Sequence, residues 1–130
     1  MKPKQVLSIE QMKHLQELGL DTSDGSMCWC YALSYKNAKL ELEIYEDVIN
    51  QKRDSAFWEI IPTYTLQDIL DKLPCFVGNQ VLTIQKLADS YTCLYMESYT
   101  RSIIKITESK ELIDAAYEML CWCVEERLIP

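Results

Sequence analysis

The run from Ser109 to Leu128 constrains this chain more than any other stretch, because it reads as one long amphipathic helix. At about 100° per residue, Leu112, Ile113, Ala116, Met119, Leu120, Cys123 and Val124 fall on one continuous face. Lys110, Glu111, Asp114, Glu118 and Glu125 fall on the other. Ser109 is placed to cap the first turn, and Glu108 and Glu111 stand near the positive end of the helix dipole, with Arg127 near the negative end. Burying each large apolar side chain contributes about 1.5–3 kcal/mol, so the rest of the chain has to supply a surface for this helix to cover. Trp122 and Tyr117 stand at the margins of the stripe, where they either seal its edges or face a partner.

A chain of 130 residues is long enough for a real core and is expected to form one domain, 1–130. The net charge of −7 argues against nonspecific binding to nucleic acid or to an anionic membrane, since both need a basic face. A basic protein partner is compatible with it. The basic stretch Met1 to Val6 is followed by no apolar run of signal-peptide length, and no stretch approaches a membrane span. The expected location is therefore the cytoplasm, with the six cysteines reduced.

Taken in order, Ser8 to Leu18 reads as the first helix. Ser8 and Gln11 make a capping box, Leu7 and Met12 a hydrophobic staple, and Gly19 a left-handed end with Leu20 folding back onto Leu15. Met27 to Tyr35 alternates between a bulky face (Met27, Trp29, Tyr31, Leu33, Tyr35) and a small one (Cys28, Cys30, Ala32, Ser34). After a turn at Lys36 to Ala38, the strand Lys39 to Tyr45 points Leu40, Leu42 and Ile44 inward, and the two strands should pair as an antiparallel hairpin. Asp47 to Ser55 is polar and reads as a loop. Ala56 to Ile61 reads as a third strand, ended by Pro62. Thr65 to Leu73 reads as a second helix, capped by Thr65 and stopped by Pro74. Strands follow at Gln80–Leu87, Tyr91–Tyr99 and Ser102–Ile106, then the terminal helix. Runs of strands without intervening helices predict an α+β fold: antiparallel sheet, arranged as one or two meanders, with three helices and the last packed across the sheet.

The two Cys-Trp-Cys triplets suggest a metal motif, and geometry sorts them. Cys28 and Cys30 share one strand face. Cys121 and Cys123 stand about 200° apart on a helix and cannot chelate one ion. A structural zinc site needs four ligands, and no second pair with suitable spacing accompanies Cys28 and Cys30. Cys75, Cys93 and the lone histidine, His14, are the remaining candidates, and the cysteines read first as small buried hydrophobes. The three glycines are scattered, so no phosphate-cradling loop is present. No catalytic residue, cofactor site or metal site is assigned.

The aromatic residues carry the functional expectation. Tyr91, Tyr95 and Tyr99 share one strand face with Cys93 and Glu97, and together with Trp122 they form the expected interaction surface if no helix covers that face. Four blocks, Leu7–Leu20 (LSIEQMKHLQELGL) with Asp21-Thr22-Ser23, Ser26–Trp29, Pro62–Pro74 (PTYTLQDILDKLP) and Ile113–Glu125 (IDAAYEMLCWCVE), resemble a group of small uncharacterised proteins of gut Bacteroidetes, often met in prophage-like or other mobile regions. The resemblance covers roughly half the chain and implies a bacterial cytoplasmic or phage-associated protein. It implies no activity, cofactor or site residue. The expectation is a non-enzymatic interaction domain that binds a protein partner or a second copy, and neither nucleic acid nor membrane. Two alternatives stand beside it: a thiol enzyme or metal protein using Cys28 and Cys30 with His14, and an acidic mimic of nucleic acid.

Overall fold

The computed structural model describes residues 4–33, 40–51 and 58–129. Contacts divide the chain into two compact units, Val6–Thr65 and Leu66–Pro130 with Met1–Gln5. Each combines helices with antiparallel sheet, the predicted α+β class. Four helices occur among the described residues rather than three.

In the unit Val6–Thr65, helix α1 (Ile9–Glu17) forms as its signals direct. The Gln11 N–H donates to Ser8 Oγ at 3.2 Å and the Ser8 N–H donates to Gln11 Oε1 at 2.9 Å. Leu7 and Met12, the two ends of the staple, are fully buried. Gly19 ends the helix at φ 101°, with its N–H donating to the Gln16 carbonyl and the Leu20 N–H to the Leu15 carbonyl. This is the bond pair of a Schellman motif.

Strand β1 (Met27–Ala32) lies between β2 (Glu41–Ile44) and β3 (Trp58–Thr63), both antiparallel to it. The predicted hairpin is therefore present, but the order β2-β1-β3 is not a meander. The turn Lys36–Ala38, with Ser34, Tyr35, Lys39, Ala56 and Phe57 of the predicted strands, lies outside the described residues. So does the part of the Asp47–Ser55 segment beyond Gln51. Cys28, Cys30 and Ala32 make the buried face of β1, whereas Met27, Trp29 and Tyr31 are partly covered.

Three details differ from expectation. Leu40 and Ile44 are exposed rather than inward, because β2 is a four-residue edge strand that turns at once into a helix. That helix, α2 (Tyr45–Asn50), replaces the start of the expected loop, and it buries only Val48, too little to show as periodicity. Pro62 lies within β3 instead of ending it. β3 is an edge strand, where a missing N–H is tolerated.

Leu7 ties the parts of this unit together. Its N–H donates to the Tyr64 carbonyl at 3.0 Å. Its carbonyl accepts from the Trp29 indole N–H at 3.0 Å and from the Thr63 hydroxyl at 2.8 Å.

In the other unit, α3 (Leu66–Lys72) leads into the meander β4 (Phe76–Val77), β5 (Gln80–Lys86), β6 (Tyr91–Glu97) and β7 (Ile103–Ser109). The two-residue β4 escapes sequence reading. It is joined to β5 by a tight turn with Gly78 at φ 62°. Helix α4 (Leu112–Glu125) packs on β6 and β7, and α3 packs on α4. Ser109 ends β7 rather than capping α4, whose N-cap is Glu111 without a side-chain bond. Ala115 and Cys121, off the predicted stripe, are buried as well, because α4 has neighbours on the sheet and in α3.

Gly25 is fixed by close approach: a Cβ there would meet the Thr63 carbonyl oxygen at 2.5 Å, whereas one at Gly19 would meet nothing within 4 Å. Urea unfolding is expected to show Gly19→Ala costing about 1 kcal/mol through its positive φ. Gly25→Ala should cost more, through displacement of the β3 backbone. Equal costs would show that the contact with Thr63 does not constrain the fold.

Candidate interaction surface

The pairing register of the four-stranded sheet sorts its side chains into two faces. One face carries the cross-strand rows Leu82–Tyr95–Lys105 and Ile84–Cys93–Thr107. Helix α4 covers the middle of this face. Thr107 Oγ1 donates to the Ala115 carbonyl at 2.6 Å, and the Cys123 thiol donates to the Tyr95 hydroxyl at 3.9 Å. The Tyr95 hydroxyl in turn donates to the Pro74 carbonyl at 2.7 Å, and its ring lies 6.2 Å from that of Trp122.

Tyr91, Tyr95, Tyr99 and Trp122 therefore do not make one open surface. Tyr95 is fully buried under α4, and Tyr91 and Trp122 are half-buried. Tyr99 is 95% exposed but has left the sheet. β6 ends at Glu97 because that carboxylate accepts from the Thr100 N–H at 2.9 Å and the Tyr99 N–H at 3.3 Å, which holds a turn completed by Arg101 at φ 58°. These bonds also hold the Glu97 carboxyl below its ordinary range, those from Thr100 most strongly.

The opposite face is apolar, buried at the middle of β6 and exposed on the edge strands β4 and β7. One row crosses all four strands: Phe76, Val81, Met96 and Ile103. The next contains Thr83, Leu94 and Ile106. Ile104 is the extra residue of a bulge, since Tyr95 pairs with Lys105 and Met96 with Ile103. Leu94 is buried, but Phe76, Ile103, Ile104 and Ile106 are 63%, 48%, 53% and 49% exposed. β7 is also the edge of its sheet, so a strand's worth of backbone donors and acceptors lies beside these isoleucines. Sequence reading placed a strand here but did not single them out. The signal was Ile103 beside Ile104, which cannot both face inward on a regular strand.

Five of the six cysteines are buried. Burial, reinforced by the neighbouring Cys123, pushes the Cys93 thiol up to about 11. Burial likewise raises Cys123 and Cys121, opposed in part by hydrogen bonds with Tyr95 and Tyr117 respectively. It also raises the Tyr95 phenol, again with a contribution from Cys123. Cys28 and Cys30 are sealed from solvent, whereas His14 is exposed beside Glu17 at 3.9 Å. Among the described residues, no three His, Cys, Asp or Glu side chains gather as a metal-binding set, and no helix is long and apolar enough to cross a membrane. No family model, no curated protein and no solved structure matches the chain.

Two outcomes follow. Iodoacetamide at neutral pH should label the exposed Cys75 first and leave Cys93, Cys121 and Cys123 until the chain unfolds, as read by peptide mass spectrometry. Labelling of Cys93 as fast as Cys75 would contradict its burial. The folded chain keeps the Cys93 proton up to about pH 11, while an unfolded thiol releases it near 9.0. Stability is therefore full below pH 9 and falls as the pH rises from there towards 11, which urea titrations across that range would show.

Proposed function

We propose that the chain is a non-catalytic interaction domain, which docks a protein partner on the apolar sheet face of Phe76, Ile103, Ile104 and Ile106. The observation that carries this reading is the exposure of these four residues on one side of a sheet whose other side α4 already covers. Apolar area left in water is costly to a lone chain and becomes favourable when a partner covers it. The net charge of −7 favours a basic partner over stacking of like-charged copies. The buried, proton-holding thiols support a binding role over thiol chemistry. The proposed setting is a bacterial cytoplasm, in line with six cysteines outside any disulfide and with the resemblance to proteins of mobile regions.

The test separates interface from core. Ile103→Lys with Ile106→Lys should change unfolding free energy by no more than about 0.5 kcal/mol per site, as for surface positions. The same double variant should lose the partner that the parent chain retains from a lysate of its native host. A collapse of stability would make these residues core, and an unchanged partner profile would place binding elsewhere.

A further inference from the structure

The direction in which the backbone of β7 points can be read from the hairpin before it. The Glu97 N–H donates to the Ser102 carbonyl at 2.9 Å, and the Arg101 N–H donates to the Glu97 carbonyl at 2.9 Å. Glu97 therefore turns both backbone groups towards β7, and by alternation so do Tyr95, Cys93 and Tyr91. Their register partners Lys105, Thr107 and Ser109 point back at them. Ile106 and Glu108 lie between and turn their N–H and C=O outward, away from β6. The far side of β6 has the same phase: Leu82, the partner of Tyr95, donates its N–H away from β6 to the Cys75 carbonyl at 3.0 Å.

The remaining sheet edges are less suited to a new strand. Among the described residues, β4 has two residues, β2 has four, and β3 carries Pro62. Shortness and an edge proline both discourage pairing. Residues 105–109 of β7 stay in unbroken register with β6 beyond the bulge at Ile104. A lysine and a bulge on such an edge blunt indiscriminate pairing and leave it to a strand that answers the lysine.

Side-chain charge selects that strand. Lys105 and Thr107 lie on the face that α4 covers, and Ile106 and Glu108 on the other. Directly opposed residues of an antiparallel pair share a face. Lys105 and Glu108 are on different faces, so pairing β7 with the β7 of a second copy never sets one against the other. Pairing centred on Lys105 would set lysine against lysine, and the net charge of −7 on each copy adds to the repulsion. The complement has to come from a different chain.

We infer that β7 takes up an extended segment of the protein partner as a fifth, antiparallel strand of this sheet. The segment places a basic residue opposite Glu108, an aliphatic one opposite Ile106 and an acidic one opposite Lys105. This mode of binding rests on the docking role proposed for the adjoining isoleucines and adds how the partner is held. Main-chain bonds to Ile106 and Glu108 supply affinity, and the charge pairs fix the register.

The test is an amide titration of the isotopically labelled full chain with the acetylated, amidated peptide Thr-Lys-Thr-Ile-Glu-Val. Its second to fifth residues oppose Glu108, Thr107, Ile106 and Lys105 in turn. Saturable shifts are expected along β7, with hydrogen exchange slowed at Ile106 and Glu108. Exchanging the peptide's Lys and Glu should weaken binding about tenfold, and Glu108→Lys, at an exposed position, should narrow that difference. Methylating the backbone nitrogens of the peptide's Lys and Ile, which face β7, should abolish binding. Methylating the Thr between them should change it by no more than about twofold. Equal affinity for the two charge arrangements would overturn the inference. So would equal loss from both methylations, or shifts on the sheet face without slowed exchange in β7. Self-association of the parent chain through β7, read by sedimentation without peptide, would assign the edge to a second copy and overturn it as well. Absence of peptide binding would overturn strand addition alone, since the docking role of the isoleucine face is read separately from Ile103→Lys with Ile106→Lys.

Discussion

The apolar circumference of α4 needs a dry surface, and the four-stranded sheet is arranged around meeting that need. Ile113, Ala115, Ala116, Met119, Leu120, Cys121 and Cys123 are all buried. Small residues at Ala115 and Ala116 let the helix backbone approach β7 closely enough for Thr107 to reach the Ala115 carbonyl. Under the far end of α4, Tyr95 fills the space and passes its hydrogen bond on to Pro74. The chain S–H to O–H to carbonyl through Cys123, Tyr95 and Pro74 gives the buried thiol and phenol their partners.

The partly exposed face follows from the one that α4 covers. Strand side chains alternate, so committing Cys93, Tyr95 and Thr107 to α4 sends Leu94, Met96 and Ile106 to the other side. The bulge at Ile104 then adds an isoleucine at the sheet edge. The proposed docking surface is in this sense the counterpart of the core: the same register that buries the tyrosine exposes the isoleucines.

The unit Val6–Thr65 rests on a different device. Both the N–H and the carbonyl of Leu7 are spent on the sheet and its side chains, so the segment before α1 is held against Trp29, Thr63 and Tyr64. The loop that follows α1 is anchored by Thr22, Asp24 and Gly25 in turn. The small face of β1 is the buried one, which explains cysteine at positions 28 and 30: a compact, largely apolar side chain fills shallow space.

What the sequence determined by itself were the features written locally. The box at Ser8 and Gln11, the left-handed stop at Gly19, the stop at Pro74, the alternation of β1 and the stripe of α4 all depend on residues within a few positions of one another. The α+β class followed from their order. Short elements with little apolar content were not legible: α2 buries one side chain, and β4 has two residues. Ser109 was misread because strand pairing with Tyr91 outweighs a local capping preference. Which face of β6 would be covered, and so whether tyrosines or isoleucines would meet solvent, was decided only by tertiary structure. Alternation sorts side chains into two faces, but the choice between those faces belongs to the helix that arrives from elsewhere in the chain.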